Sequence, residues 1–395
     1  LATGMAGQAA LRGVSAYASG ARPEWRDLLL SPGNVRRMAD QLARMRGAAM
    51  KVGQLISMDA GDVLPPELAE VMARLRAEAD YMPPKQLRGV LDAQWGAGWQ
   101  RRFRRFDVRP VAAASIGQVH RAELPDGRRL AIKVQYPGVR RSIDSDVDNV
   151  ALLIRMSGLV PTGLEIGTLL DEAKRQLHEE ADYAREGREL SRFGVLLAGW
   201  DEVVLPELEP SLTTRDVLAM SFVESVPIER LAEAEQAERD RIVRLLMELL
   251  FREMFEFGVM QTDPNFANYR YDPATRRLVL LDFGAVRAFA PEVTEGYRAL
   301  LRAGMGGAPG AIEQAALRLG LFAETTAPHH RAAVVEMIDL AFGALRHAGP
   351  FDFGTDRMVL ELRDRAMAMS ADRSFLHVPP VDVFYMQRKF AGLYL

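Results

Sequence analysis

The sequence predicts an α+β protein of more than one domain: a helical first hundred residues, a small antiparallel sheet with helices packed on it, and a mostly helical remainder. Three observations carry this. Met38, Leu42, Met45, Ala49, Val52 and Ile56 recur at steps of four and three, the stripe of an amphipathic helix. Ile116–Leu124 and Arg129–Gln135 alternate as strands around a Pro125-Asp126-Gly127 turn, which makes a β-hairpin. Helical periodicity returns from Ile228 and is broken by short strands and turns between Gly258 and Phe283. At 395 residues the chain is long for one core, and the expected division is 1–100, 101–223 and 224–395.

Within the first part, Pro65-Pro66 opens a second helix that runs to about Ala79, Pro83-Pro84 opens a third, and Gly96 and Gly98 close the region. Lys51 and Gln54 lie off the apolar stripe of the first helix, three apart and on one flank. In the middle part Asp144–Leu159 and Ile166–Ser191 read as helices, and Val203–Pro206 and Thr214–Val223 as strands.

Composition removes several function classes. Fifty Lys and Arg against 53 Asp and Glu give a net charge of −3, so no basic field attracts nucleic acid. Without cysteine there are no disulfides, thiolate zinc sites or Cys nucleophile. Six His spread along the chain argue against a His-built metal site. The strongest apolar stretch, Val243–Met260, contains Glu248, Arg252, Glu253 and Glu256 and cannot span a bilayer. Leu1–Ala21 is small, apolar and poor in acids, which leaves a targeting or anchoring segment open. Lysine occurs at only five positions, 51, 85, 133, 174 and 389, the other 45 basic residues being Arg, so each Lys asks for a reason.

The chemistry concentrates between Val259 and Gly284. Asp263, Asn268 five residues later, and Asp282-Phe283-Gly284 after the strand-like Arg277–Leu281 reproduce the spacing of a phosphoryl-transfer loop and its metal-binding turn. Asp263 would orient the nucleophile, while Asn268 and Asp282 would offer hard oxygen ligands to Mg²⁺. A second copy, Asp352-Phe353-Gly354, follows Gly349-Pro350-Phe351 with no strand and reads as a turn. Ala290-Pro291-Glu292 follows Gly284 so closely that essentially no activation segment intervenes. Upstream, Lys133 stands on a strand in Leu130-Ala131-Ile132-Lys133, the position of a phosphate-binding lysine, and Glu179, Glu180 and Glu186 are candidate helical partners. The turn that should cover the phosphates reads Val111-Ala112-Ala113-Ala114-Ser115-Ile116-Gly117, with a single glycine. Alanines stiffen such a loop. Met220 to Val223, where a strand ends, is the expected connecting segment that contacts the base.

These residues resemble the UbiB family of atypical kinases and ATPases that support coenzyme Q biosynthesis, especially its mitochondrial-type branch. The resemblance spans about residues 48–290 and rests on Lys51-Val52-Gly53-Gln54, Ala112 to Gly117, Lys133 in its Ala131–Val139 segment, Glu180-Ala181-Asp182-Tyr183, Asp263 with Asn268, and Asp282-Phe283-Gly284. It implies an atypical protein-kinase-like bilobal fold with an N-terminal helical extension. It also implies ATP and Mg²⁺ as cofactors, Ala112, Ala113, Ala114, Ser115 and Gly117 in nucleotide binding, Lys51 and Gln54 projecting into the cleft, and Glu180 as the preferred partner of Lys133. Gln261 stands where many bacterial members carry His. The implied setting is peripheral to a membrane, on a bacterial cytoplasmic face or a mitochondrial matrix side, with membrane lipids and coenzyme Q biosynthetic enzymes as partners, a homodimer left open and no nucleic acid. Two other readings compete: a nucleotide-gated scaffold that binds lipids or partners with little catalysis, and a small-molecule phosphotransferase. The latter does not account for Lys51-x-Gly-Gln54.

Overall fold

The computed structural model describes residues 81–394 except 115, 157–166, 354–356, 373–376 and 378. The expected helices at 38–56 and 65–79, with Lys51 and Gln54, lie outside the described residues, as does Ser115. The chain divides into two compact units: one runs to Arg185 and includes Glu209–Ser221, and the other holds Glu186–Leu208 and Phe222 onward.

The first unit begins with α1 (Pro84–Trp95), opened by proline at its first turn as expected. Leu87, Leu91 and Trp95 recur every four residues and are its buried face. They pack with Trp99, Phe103, Leu130, Ile132, Val134 and Val217 into one core, and the Trp95 indole donates to Leu212 O at 2.9 Å. The sheet contains β1 (Arg105–Phe106), β2 (Ala112–Ala113), β3 (Gly117–Glu123) and β4 (Arg129–Gln135). Three helices follow, α2 (Val139–Met156), α3 (Gly167–Glu180) and α4 (Tyr183–Leu196), the last belonging to the second unit from Glu186 onward. After β5 (Val203–Val204), which belongs to the second unit, the chain returns as β6 (Val217–Ser221). The order is β1-β3-β4-β6 with β2 on β3, and the pairing is antiparallel throughout. The central strand β4 is buried from Leu130 to Gln135.

Three expectations are corrected by local hydrogen bonding. Ile166–Ser191 is two helices rather than one. They part at Ala181-Asp182, where the Asp182 carboxylate accepts from the Arg185 amide at 3.0 Å and starts α4 as an N-cap. The strand expected over Thr214–Val223 is confined to Val217–Ser221, because the Thr214 amide turns back to Val217 O at 2.7 Å. Ala112 and Ala113 are strand residues, paired with Val119 and Gln118, so the turn is shorter than the alanine run suggested. It closes where the Ala114 amide donates to Gly117 O at 2.8 Å. Glycine is needed at 117: a Cβ there would stand 2.4 Å from the Val134 carbonyl oxygen and 2.8 Å from the Tyr183 hydroxyl.

In the second unit β5, β7 (Val226–Pro227), β9 (Tyr269–Asp272) and β10 (Arg277–Leu280) form a sheet ordered β5-β10-β9-β7. The strands β8 (Val259–Gln261) and β11 (Val286–Ala288) pair antiparallel beside it. Helix α5 (Gln236–Arg252) buries Ile242, Leu245, Leu246, Leu249 and Leu250 and ends in a wider turn, Glu253–Phe257, that leads into β8. Five helices complete the unit: α6 (Pro291–Gly306), α7 (Pro309–Arg318), α8 (Pro328–Gly343), α9 (Met358–Ala371) and α10 (Val381–Tyr394). No helix of the described residues is long and apolar enough to cross a membrane.

A buried polar relay ties the entry of α1 to β3. The Met82 amide donates to Gln118 Oε1 at 2.8 Å, the Gln118 amide group lies 2.8 Å from His120 Nε2, and His120 Nδ1 lies 2.9 Å from Asp107 O. Because Gln118 Oε1 already accepts, its nitrogen donates to Nε2, which leaves Nδ1 as the donor and the ring neutral. Burial pushes the His120 imidazole below its ordinary value, against the opposing pull of Asp107. Its contribution is therefore present above the unfolded imidazole's value, about 6.5, and is lost as pH falls from there through the lower folded value. Thermal melts should show wild type losing stability as pH falls below about 6.5 more steeply than His120→Gln, and parallel curves would refute this role.

Candidate active site

Asp263 leaves the end of β8, which is held on β11 by main-chain pairing. Beside it the Thr262 amide and hydroxyl both donate to Ala285 O at 2.8 Å. After Pro264 the Asn265 carboxamide oxygen accepts from the Ala267 amide at 3.0 Å and caps a single turn, Phe266–Asn268. That turn returns Asn268 to the start of the loop, where its side-chain nitrogen donates to Asp263 O at 3.3 Å. The Leu281 amide then donates to Asn268 O at 3.3 Å. Asp282 follows at once, its carboxylate accepting from the Gly284 amide at 2.9 Å. The second unit thus brings Asp263, Asn268 and Asp282 into one hydrogen-bonded frame. Phe283 is 1% exposed and packs on Phe193 of α4, ring centroids 5.0 Å apart.

The donor set suits a hard cation. Asn268 spends its nitrogen on Asp263 O, which turns the carboxamide oxygen to the opposite side of the group, and Asp282 contributes carboxylate oxygen. The other Asp-Phe-Gly copy is unlike it. Phe353 is 42% exposed and stacks edge-on against Phe351, with no strand leading in.

In the first unit Lys133 sits mid-strand on β4, paired with Val119 on one side and Leu218 on the other. It is 9% exposed, and its ammonium stands 5.0 Å from the Tyr183 ring centroid. Of the candidate glutamates, Glu179 is engaged by Arg175 and Arg185 on the helix surface. Glu180 is half-buried at the end of α3, and Glu186 is 1% exposed in the first turn of α4. Met220 is buried on β6 opposite Ala131, and Val223 lies beyond the strand's end, half-buried.

Sequence reasoning missed the support beneath the loop. Lys389 of α10 is buried at 1% exposure and donates to Gln261 O at 2.6 Å, to Gln261 Oε1 at 3.0 Å and to the Tyr269 hydroxyl at 2.5 Å. Glu253, also 1% exposed, lies 3.7 Å away and accepts from the Gln261 amide at 3.2 Å. Burial alone would strip the proton from Lys389, but the Glu253 carboxylate and the Tyr269 oxygen outweigh it and hold the ammonium above its ordinary value. Its neighbour Arg388 reaches Asp263 Oδ1 at 3.4 Å. One turn on, Gly392 lets the helix touch the loop: a Cβ there would lie 2.3 Å from Pro264 Cβ. Lysine's rarity marked position 389 in the sequence, but no pattern linked it to residues more than a hundred positions earlier.

Residues 74–309 match the ABC1 atypical kinase-like domain. The chain is 38% identical over 399 residues to the yeast Saccharomyces cerevisiae "Atypical kinase COQ8, mitochondrial", covering 100% of this chain and 79% of that one. The chain belongs to the UbiB (ABC1) family of atypical kinases. It is likewise 36% identical to the zebrafish Danio rerio "Atypical kinase COQ8B, mitochondrial" and 35% to the Caenorhabditis elegans "Atypical kinase coq-8, mitochondrial", each over 93% of this chain. It spans 58% and 49% of the length of those two relatives. Among solved structures, the Mycobacterium tuberculosis Rv3197–erythromycin complex superposes with a TM-score of 0.62 over 92% of both chains at 24% identity, a likeness of fold. The α+β, atypical kinase-like fold expected of a UbiB protein is the fold found, with mixed helices and sheets in the described residues.

Lys389 and Glu253 are both 1% exposed, and burial already pushes the Glu253 carboxyl above its ordinary value against the pull of Lys389. Removing either partner therefore leaves the other buried without its counter-charge. Lys389→Met should cost about 3–5 kcal/mol in chemical denaturation. Lys389→Met with Glu253→Gln should recover part of that loss, and a single variant as stable as wild type would show the pair to be dispensable.

Proposed function

We propose that this UbiB protein binds ATP with Mg²⁺ and cleaves or transfers its terminal phosphoryl group, in support of coenzyme Q biosynthesis at a membrane surface. The observation that carries the reading is the hydrogen-bonded frame of Asp263, Asn268 and Asp282. Local hydrogen bonds link the residues of that spacing, Asn268 to Asp263 O and the Leu281 amide to Asn268 O, which supports the reading. Asn268 and Asp282 would hold Mg²⁺, which when bound neutralises phosphate charge. Lys133 would bind the α- and β-phosphates, with a carboxylate of the 180–186 segment, Glu180 or Glu186, as its counter-charge. Asp263 would orient a water or an acceptor hydroxyl and accept its proton. Ala112, Ala113, Ala114, Ser115 and Gly117 would cover the nucleotide, and Met220 to Val223 would border the base. Lys51 and Gln54 would project over the site and oppose peptide substrates.

The covering turn bears on rate. A turn closed by the Ala114–Gly117 hydrogen bond and flanked by the β2–β3 pairing has little freedom to follow a phosphate through the reaction. Turnover should fall well below the about 1–100 per second of kinases. Steady hydrolysis of ATP by the purified chain, lowered roughly 100-fold or more in Asp282→Asn and in Asp263→Asn, is the expected result. Phosphate release by Asp282→Asn at the wild-type rate would overturn the reading. Nucleotide affinity should also weaken when Mg²⁺ is withdrawn by chelator, measured by fluorescence of a labelled adenine nucleotide, because clustered carboxylates beside phosphates repel without a cation.

A further inference from the structure

Far from this loop in the chain, α8 opens with two adjacent histidines in its first turn, His329 and His330. Successive helical side chains normally diverge by about 100°. Here the two rings lean together, centroids 3.9 Å apart, and both present Nε2 to one oxygen of Asp372, the residue that closes α9. His330 Nε2 lies 2.9 Å and His329 Nε2 3.7 Å from Asp372 Oδ2. The three ligand atoms lie within 4.8 Å of one another, the single such gathering of His and carboxylate groups among the described residues.

We propose that His329, His330 and Asp372 form a binding site for a borderline divalent ion of the Zn²⁺ or Co²⁺ type, which clamps the start of α8 to the end of α9. Distances support it. Nitrogen and oxygen ligands about 2.0–2.1 Å from a tetrahedral ion lie about 3.3 Å apart, and the two observed separations, 2.9 and 3.7 Å, bracket that value. A hydrogen bond accounts for the shorter contact only, since 3.7 Å is too long for one. The two helix ends offset each other, the C-terminal end of α9 favouring a cation and the first turn of α8 opposing it, so the Asp372 carboxylate supplies the favourable charge. The site is partly built in. His330's side chain is 4% exposed, whereas His329 at 68% and Asp372 at 45% leave a path for the ion and a free coordination position for water. Two imidazoles and one carboxylate, without thiolate, suit Zn²⁺, Co²⁺ or Ni²⁺ rather than the all-oxygen preference of Mg²⁺. The scattering of six His along the sequence argued against such a site; the fold supplies it by bringing Asp372 to an adjacent pair.

The test uses the full chain free of any histidine tag, in excess Mg²⁺ so that oxygen sites are filled. Co²⁺ is titrated by visible absorption and Zn²⁺ by calorimetry. One ion per chain is expected, with a rise in melting temperature on adding Zn²⁺. Affinity should fall about tenfold or more in His329→Ala and in Asp372→Asn, both exposed positions whose variants should fold, as circular dichroism would verify. Asp282→Asn should bind the ion as wild type does, which separates this site from the proposed ATP site. Absence of stoichiometric uptake by wild type, or equal uptake by the two site variants, overturns the proposal.

Discussion

One buried ammonium organises the loop that carries Asp263 and Asn268. Lys389 spends its three protons on Gln261 O, Gln261 Oε1 and Tyr269 OH while its charge faces Glu253. Each of these groups is costly to bury alone, and the ammonium is the group they share. Gln261 ends β8 and Tyr269 begins β9, so the bonds pin both ends of the loop that carries Asp263 and Asn268. The loop is left with little freedom except what its own short hydrogen bonds allow. Burial pushes the Tyr269 phenol up, so it keeps its proton, which suits a hydroxyl shared between an ammonium and the interior.

This arrangement explains what the sequence could and could not reveal. Asp263, Asn268 and Asp282 were legible because a loop closed by near-neighbour hydrogen bonds has a fixed spacing, and spacing is written in one dimension. Asp282 was separable from Asp352 because a hydrophobic strand precedes only the former. The contact of α10 was not legible, because it joins residues more than a hundred positions apart and a buried Lys has no periodicity of its own. The same limit hid the approach of Asp372 to two histidines: adjacent His on a helix normally signal nothing, and Asp372 is 42 residues from His330.

The alanine run shows the intermediate case. Its composition suggested a turn over the whole alanine run and did not show where the strand ended. Alanine is small enough to join an edge pairing, so Ala112 and Ala113 enter β2 instead of the turn. The Glu-x-Asp segment behaved similarly. Its helical periodicity is continuous in sequence, yet Asp182 prefers to accept a backbone amide, and a good N-cap acceptor starts a new helix where pattern alone would continue the old one.

Gly117 and Gly392 connect packing to chemistry in the same way from different units. Each is placed where another backbone or ring comes closer than any Cβ tolerates, the Val134 carbonyl in one case and Pro264 in the other. Neither residue is conformationally unusual, because neither adopts a positive φ. What glycine supplies at both is absence of volume rather than freedom of rotation. At 117 this draws the end of the alanine turn against β4, two residues from Lys133. At 392 it draws α10 against the loop, close enough for Arg388 and Lys389 to reach it. Within the second unit, close approach at 392 lets α10 meet the loop, and the buried charge at 389 holds the two together.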